Sequence, residues 1–285
     1  MLHYIENEFL RIGVSERGAE LQSLYSKESD FEYLWQGDKA VWSGRSPILF
    51  PIVGRLKNDR YFLDGEEYFL QKHGFAREMN WEFVPSEDNT LTFRLTQTEE
   101  TLKKYPFNFS LSVTYSLNEK TLSVSHTVLN TDEKMLCFSL GAHPGFNCAI
   151  GDVLEFECDE YAHTEKIDLE TALRLPQKQL VLDNQREITI TRDIFNEDAL
   201  ILSSLKSSFV TLKSPSHDRT VKVTFGGAPY LGIWAKPGAP YVCIEPWYGV
   251  NDGQEEVSDF IHKDEIQLLT SGDSFNFTWT ATVSE

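Results

Sequence analysis

An all-β protein, one large antiparallel β-sandwich with few short helices, is predicted by three features of the 285-residue sequence. First, apolar and polar residues alternate cleanly: Phe109, Leu111, Val113 and Tyr115 against Ser110, Ser112, Thr114 and Ser116, then Leu122, Val124, His126 and Val128 against Ser123, Ser125 and Thr127. Successive strand side chains point to opposite faces, so this period of two describes a meander with one face buried. Second, strand candidates follow one another closely, leaving almost no length for the crossover helices that parallel strands require. Third, no Pro/Ser/Gly-rich linker divides the chain and no internal repeat is visible, so residues 1–285 are expected to form a single domain and a propeller is disfavoured.

The elements follow in order. Phe9 to Val14, a turn at Glu16-Arg17-Gly18-Ala19 and Leu21 to Tyr25 read as an opening hairpin. Ser46-Pro47-Ile48-Leu49-Phe50-Pro51-Ile52-Val53-Gly54-Arg55 is apolar, but its two prolines exclude a central strand and predict an irregular connection leading to a site. Asp64-Gly65 within Tyr61–Leu70 is the strongest short-range hairpin signal, and it delivers the chain to His73. Thr96-Gln97-Thr98-Glu99 has capping-box spacing ahead of Glu100–Tyr105, closed by Pro106, which predicts a helix of about two turns. Further strands are expected at Met135–Leu140, Val153–Cys158, Glu187–Thr191, Ser208–Lys213, Arg219–Phe225, Tyr230–Ala235, Tyr241–Ile244 and Phe275–Val283.

Composition narrows the partner. A formal net charge of -18 argues against nucleic acid, whose affinity rests on Lys and Arg displacing counterions. No window approaches the ~18 apolar residues of a spanning helix, and the N-terminus lacks a signal layout, so no membrane partner and a cytoplasmic location are expected. The four cysteines, Cys137, Cys148, Cys158 and Cys243, form no C-x-x-C pair and read as reduced core residues. A small molecule remains as the expected partner, bound by a monomer or homodimer.

The stretch Val242-Cys243-Ile244-Glu245-Pro246-Trp247-Tyr248 carries the first chemical signal. Val242 to Ile244 read as a buried strand. Pro246 lacks a backbone donor, so it is expected to stop the ladder and leave Glu245 where the strand exits the sheet. Trp247 and Tyr248 offer flat apolar faces beside that carboxylate, a combination suited to the C–H face of a sugar ring. Read alone, Glu245 could equally be a strand-end acid bonded to a loop amide.

Of seven histidines, only His73 and His143 lie in glycine-flanked loop settings beside apolar strand ends, in Lys72-His73-Gly74-Phe75 and Gly141-Ala142-His143-Pro144-Gly145. Singly, each is compatible with a structural turn residue. His126 falls in the inward register of a strand and reads as a core histidine. Together, His73, His143 and Glu245 supply two imidazoles and a carboxylate from separate loops, the set needed to accept one proton while donating another. The same set matches the two-His, one-carboxylate ligands of non-haem iron, but no H-x-D/E spacing supports a metal, and no cofactor is expected. Walker, G-x-G-x-x-G and G-x-S-x-G motifs are absent.

These motifs, together with Gly54-Arg55-Leu56-Lys57-Asn58, the Tyr61–Leu70 hairpin, the Gly141 to Asn147 loop and the final Ile266–Phe277 segment, occur in an order that resembles the aldose 1-epimerase (galactose mutarotase-like) family, closest to its LacX-type branch and near the hexose-6-phosphate epimerases. The resemblance spans essentially the whole chain. It implies a large β-supersandwich with a sugar cleft, an isomerase interconverting hexose anomers, Glu245 as general base and His143 as general acid. It also implies substrate contacts from His73 and Arg55. An aspartate is expected among them, with Asp252, Asp193 and Asp198 as candidates. The sequence departs from galactose mutarotases proper at Ala142, at Phe75 and at Pro246. Arg45, Arg55, Lys57, Arg60, Lys72 and Arg77 form a basic cluster that could take a 6-phosphate, placing Arg77 among the substrate-binding candidates. A non-catalytic carbohydrate-binding or sensing protein is the alternative from another class.

Overall fold

The computed structural model describes residues 1–86, 89–255, 257 and 259–285. Among the described residues, four antiparallel strands, Leu2–Glu6, Leu10–Ser15, Leu21–Ser26 and Phe31–Glu32, form one sheet, and fifteen strands form a second that carries the site. The alternating stretch folds as Phe109–Asn118 and Thr121–Asn130, in register from Phe109↔Asn130 to Asn118↔Thr121. Thr90–Thr96 flanks it on one side and Ser274–Ser284 on the other. Its apolar positions are buried and its hydroxyl positions half-buried, as a one-faced sheet requires. Phe93, Phe109, Val113, Val124 and Trp279 fill the inner face, each full burial of such a side chain contributing about 1.5–3 kcal/mol. Two tyrosine hydroxyls satisfy buried carbonyls across the core: Tyr115 donates to Ala19 O at 2.7 Å and Tyr105 to Cys137 O at 2.7 Å. No helix among the described residues is long and apolar enough to cross a membrane.

The Asp64-Gly65 hairpin forms as predicted, Arg60–Leu63 with Glu66–Phe69, both turn residues at positive φ. Several other elements differ from their predicted form. The helix is a single turn, Glu99–Leu102, capped by Thr98 rather than Thr96: the Thr98 side chain accepts from Thr101 N at 3.1 Å, and the Thr101 hydroxyl reciprocates. Met135–Leu140 splits at Ser139, whose amide donates to Pro51 O at 2.7 Å, into Leu136–Phe138 and Leu140–Ala142 with different partners. The segments read as Val153–Cys158 and Glu187–Thr191 are the ends of one long hairpin, Val153–Ile167 with Arg174–Thr189. Register shifts within it break the period of two, and much of its second strand is exposed and polar, so the pattern fades from the sequence.

The strand expected to end at Ile244 runs on to Tyr248, with Glu245 opposite Gly232 and Pro246 opposite Leu231 of Tyr230–Trp234. Proline is tolerated here because the neighbour on the other side is interrupted. Leu140–Ala142 pairs around Trp247 and Tyr248, Gly145–Asn147 pairs around Cys243, and His143-Pro144 lie in the gap. Ile244 donates its amide to Pro144 O at 3.1 Å; two residues on, Pro246 faces the same side, where no ladder bond is required.

His126 is a core histidine, 1% exposed and stacked on Phe277 with ring centroids 5.4 Å apart. Neither ring nitrogen has a hydrogen-bond partner among the described residues. Burial pushes its pKa down to about 4, opposed in part by the Phe277 backbone, so the folded protein holds it neutral. Because the unfolded chain protonates it near 6.5, its contribution to stability is intact above that pH and falls away on acidification, by up to about 3 kcal/mol at pH 4. His126→Leu is expected to leave stability at pH 7 unchanged or higher by about 1 kcal/mol, since no hydrogen bond is lost. Its advantage over wild type should widen between pH 6.5 and 4, read from urea midpoints at each pH. An equal midpoint difference at every pH would refute this.

Candidate active site

The site is assembled around the odd-numbered face of Tyr241–Tyr248, which carries Tyr241, Cys243, Glu245 and Trp247. Glu245 is 1% exposed. Opposite it, Gly232 has no side chain, and the Trp247 indole occupies that space: a Cβ on Gly232 would stand 2.6 Å from Trp247 Cζ2, and one on Gly141 2.8 Å from Cδ1. Two glycines on flanking strands therefore let one indole lie flat as the floor of a cavity.

From the interrupted neighbour, His143 brings Nε2 to 3.3 Å from Glu245 Oε2. Trp42 stacks on the imidazole with ring centroids 5.1 Å apart and Trp234 meets it edge-on at 5.8 Å, fixing the ring plane. Trp42 is itself held by stacking on Tyr241 and by the Trp35 indole N–H donating to its carbonyl at 2.8 Å.

His73 arrives from a third direction, its ring edge-on to His143 at 5.8 Å. The Gly54 amide donates to His73 Nδ1 at 3.1 Å, and the His73 amide donates to Gly54 O at 2.8 Å. Nδ1 is thereby an acceptor, so the neutral ring carries its proton on Nε2. This two-point grip holds His73 at φ 68, a left-handed conformation costing on the order of 1 kcal/mol for a residue with a side chain.

A cavity of about 190 Å³ opens above these three residues. Trp42, Trp234 and Trp247 with Ile167 and Ile201 give it apolar walls, while Lys72, Arg77, Asp198 and Asn251 bring polar groups to it. Lys72 Nζ has no ion-pair partner among the described residues, whereas Arg77 donates to Lys72 O at 3.0 Å. Burial pushes the Glu245 pKa well above the carboxylate range; Lys72 and the Trp247 side chain oppose this, and Asp198 adds to it. Burial also pushes His143 down to about 3, against a stabilising backbone contact, and Lys72 and Arg77 push it further. The pKa of His73 is held well below 6.5, first by burial and then by the Lys72, His143 and Arg77 charges.

The model of the aldose 1-epimerase family matches residues 1–278. The chain belongs to the aldose 1-epimerase family. The LacX protein of Lactococcus lactis subsp. lactis is 32% identical over 96% of this chain and 98% of its own length. Among solved structures, a galactose mutarotase related enzyme from Lactobacillus acidophilus superimposes with a TM-score of 0.95 at 33% identity, covering 100% of this chain and 98% of that one. A galactose mutarotase-like protein from Lactobacillus casei does so with a TM-score of 0.92 at 32% identity, covering both chains completely.

In this family member, Glu245, His143, His73, Arg77 and Trp247 come together at the cavity, and Arg55 and Asp252 do not. Arg55 instead grips Asp59 through Nε and Nη2 at 2.8 and 2.6 Å, the i,i+4 spacing favouring that local pair. Asp252 is buried, accepting from Lys263 Nζ at 2.7 Å and from Lys57 N at 3.0 Å, so it fastens the loop from which the adjacent Asn251 reaches the cavity. Of the three candidate aspartates, Asp198 lines the cavity. Of the six clustered bases, Lys72 and Arg77 do; Arg45 donates to Gln22 O, Lys57 to Gln254 O, and Arg60 pairs with Glu67. Sequence reasoning passed over Trp42, Trp234 and Asn251 as site residues. Trp234 looked like ordinary strand core and Trp42 sat in a turn-like segment, so no periodicity marked either.

His143 is expected to stay neutral from pH 8 down to pH 5, and His73 to be neutral at pH 6.5, where a free imidazole is half protonated, as the Nε2–H tautomer. Nitrogen-15 NMR of labelled protein reads this directly, and an imidazolium signature from either ring at pH 6.5 would overturn the electrostatic picture.

Proposed function

We propose that the protein is a hexose 1-epimerase in which Glu245 acts as base and His143 as acid. The single observation that carries this reading is the 3.3 Å approach of His143 Nε2 to Glu245 Oε2 at the base of an aromatic-walled cavity. The buried Oε2 has no hydrogen-bond partner among the described residues. The pair holds one proton in either of two forms: neutral carboxyl with neutral imidazole, or carboxylate with imidazolium. Burial pushes both groups toward the neutral form at rest. A sugar entering between them replaces their direct contact with its own hydroxyls. Hydrogen bonds from those hydroxyls favour the charged form that the reaction uses, and the Lys72 ammonium favours its carboxylate half.

In that form, Glu245 removes the proton of the anomeric hydroxyl as His143 protonates the ring oxygen. The C1–ring oxygen bond breaks, giving the open aldehyde. Rotation about C1–C2 presents the other carbonyl face, and closure returns both protons, restoring the pair. His73 Nε2–H is placed to donate to substrate oxygens, and the tryptophan walls suit the C–H faces of the ring.

Lys72 favours a second reading within the same chemistry. A cation without an ion-pair partner beside Arg77, in a chain of net charge -18, suits a hexose bearing an anionic group such as a 6-phosphate.

Glu245→Gln and His143→Ala are each expected to lower the catalysed interconversion of α and β anomers at least about a hundredfold, the low end for a general acid or base, while sugar affinity of Glu245→Gln stays within about tenfold. NMR exchange with galactose, glucose and their 6-phosphates reads both quantities, after subtraction of spontaneous mutarotation. No acceleration by wild type with any of these sugars, alongside saturable binding, would leave a carbohydrate-binding protein instead.

A further inference from the structure

The acid/base pair has a third neighbour with no part in epimerisation. Cys243 precedes Glu245 by two residues, so both side chains rise from the same face of one strand, and His143 projects over them from the interrupted neighbour. One ligand atom from each of His143, Cys243 and Glu245 lies within 4.8 Å of the others, and all three residues are buried. We propose that these three side chains form an inhibitory site for a borderline-soft divalent cation, Zn²⁺ above all, which competes with sugar for the pair.

Tetrahedral Zn²⁺ with nitrogen, oxygen and sulfur ligands holds those atoms about 3.3–3.6 Å apart. His143 Nε2 and Glu245 Oε2 already stand at 3.3 Å. Glu245 Oε2 lies buried without a hydrogen-bond partner among the described residues, so a cation meets an acceptor not committed elsewhere. Cys243 needs only to close the remaining gap, and Gly145 opposite it contributes no side chain to resist the movement. The cavity supplies room for water as the fourth ligand. Binding displaces the Cys243 thiol proton and the Glu245 carboxyl proton to solvent, and the resulting thiolate and carboxylate neutralise the dication in a low-dielectric setting. The donor set of one sulfur, one imidazole and one carboxylate selects Zn²⁺ or Co²⁺ over Mg²⁺ and Ca²⁺, which prefer oxygen alone. His73 is excluded from the set, because its Nδ1 is committed to the Gly54 amide.

The test uses the full chain and Co²⁺ as a spectroscopic probe, then Zn²⁺ as competitor. One equivalent of Co²⁺ is expected to give a near-ultraviolet thiolate-to-cobalt absorption, removed by Zn²⁺ and absent in Cys243→Ser. Cys158→Ser, altering a thiol beside Ser207 outside the cluster, should keep it. Zn²⁺ affinity should fall at least about tenfold in Cys243→Ser and stay unchanged in Cys158→Ser, whose metal-free anomer interconversion is preserved. The absorption is read without turnover, so it stands or falls apart from the epimerase reading on which the inhibition rests. Absence of the band, its persistence in Cys243→Ser, or full turnover in Zn²⁺-loaded wild type would each overturn the proposal.

Discussion

Burial of a carboxylate in the middle of a paired strand is the constraint around which this protein is arranged. An acid at the position of Glu245 is costly to ionise and costly to leave without a partner. The fold answers on three sides: a glycine opposite, an indole floor alongside, and an imidazole delivered by a break in the neighbouring strand. The same break accommodates Pro246 in a sheet interior. A feature that would ordinarily end a strand thus marks the place where the neighbour has been opened to admit His143.

The third ionisable residue is held differently. Glu245 and His143 are fixed by sheet pairing and stacking, whereas His73 depends on reciprocal hydrogen bonds with Gly54 and a strained backbone. Lys263 and Asp252, buried behind the cavity, fasten the loop carrying Asn251. These are loops over-determined by polar contacts, which is how irregular backbone can present groups as accurately as a strand does.

Much of this was legible in the sequence where a local rule governs. The period of two from Phe109 to Val128 specified its own register, and Asp64-Gly65 specified its turn. Glu245, His143 and His73 stood out only as a set, two imidazoles and a carboxylate at apolar strand ends, since each alone was compatible with a structural residue. The rest depended on tertiary partners. Pro246 read as a terminator because only the neighbouring chain reveals that its missing donor is not needed. The long hairpin was invisible because its bulges and its wetted outer strand erase periodicity. Arg55 and Asp252 had the right chemistry for a ligand site, yet Asp59 and Lys263 claim them, and no spacing rule distinguishes a charge aimed at a cavity from one aimed at a neighbour. Trp42 reaches the imidazole across about a hundred positions of chain, a distance at which sequence carries no signal.

The division between strand-borne and loop-borne groups bears on how such a scaffold diversifies. The floor, the carboxylate and the imidazole are locked by backbone pairing and by glycines that tolerate no added atom, so drift there is costly. Lys72, Arg77 and Asp198 stand on connecting segments at the rim, where exchange disturbs no ladder. Under the epimerase reading proposed above, descendants of one ancestral fold change which hexose they accept, neutral or charged, by trading rim residues while Glu245 and His143 pass through unaltered, and substrate range and reaction type become separately heritable traits.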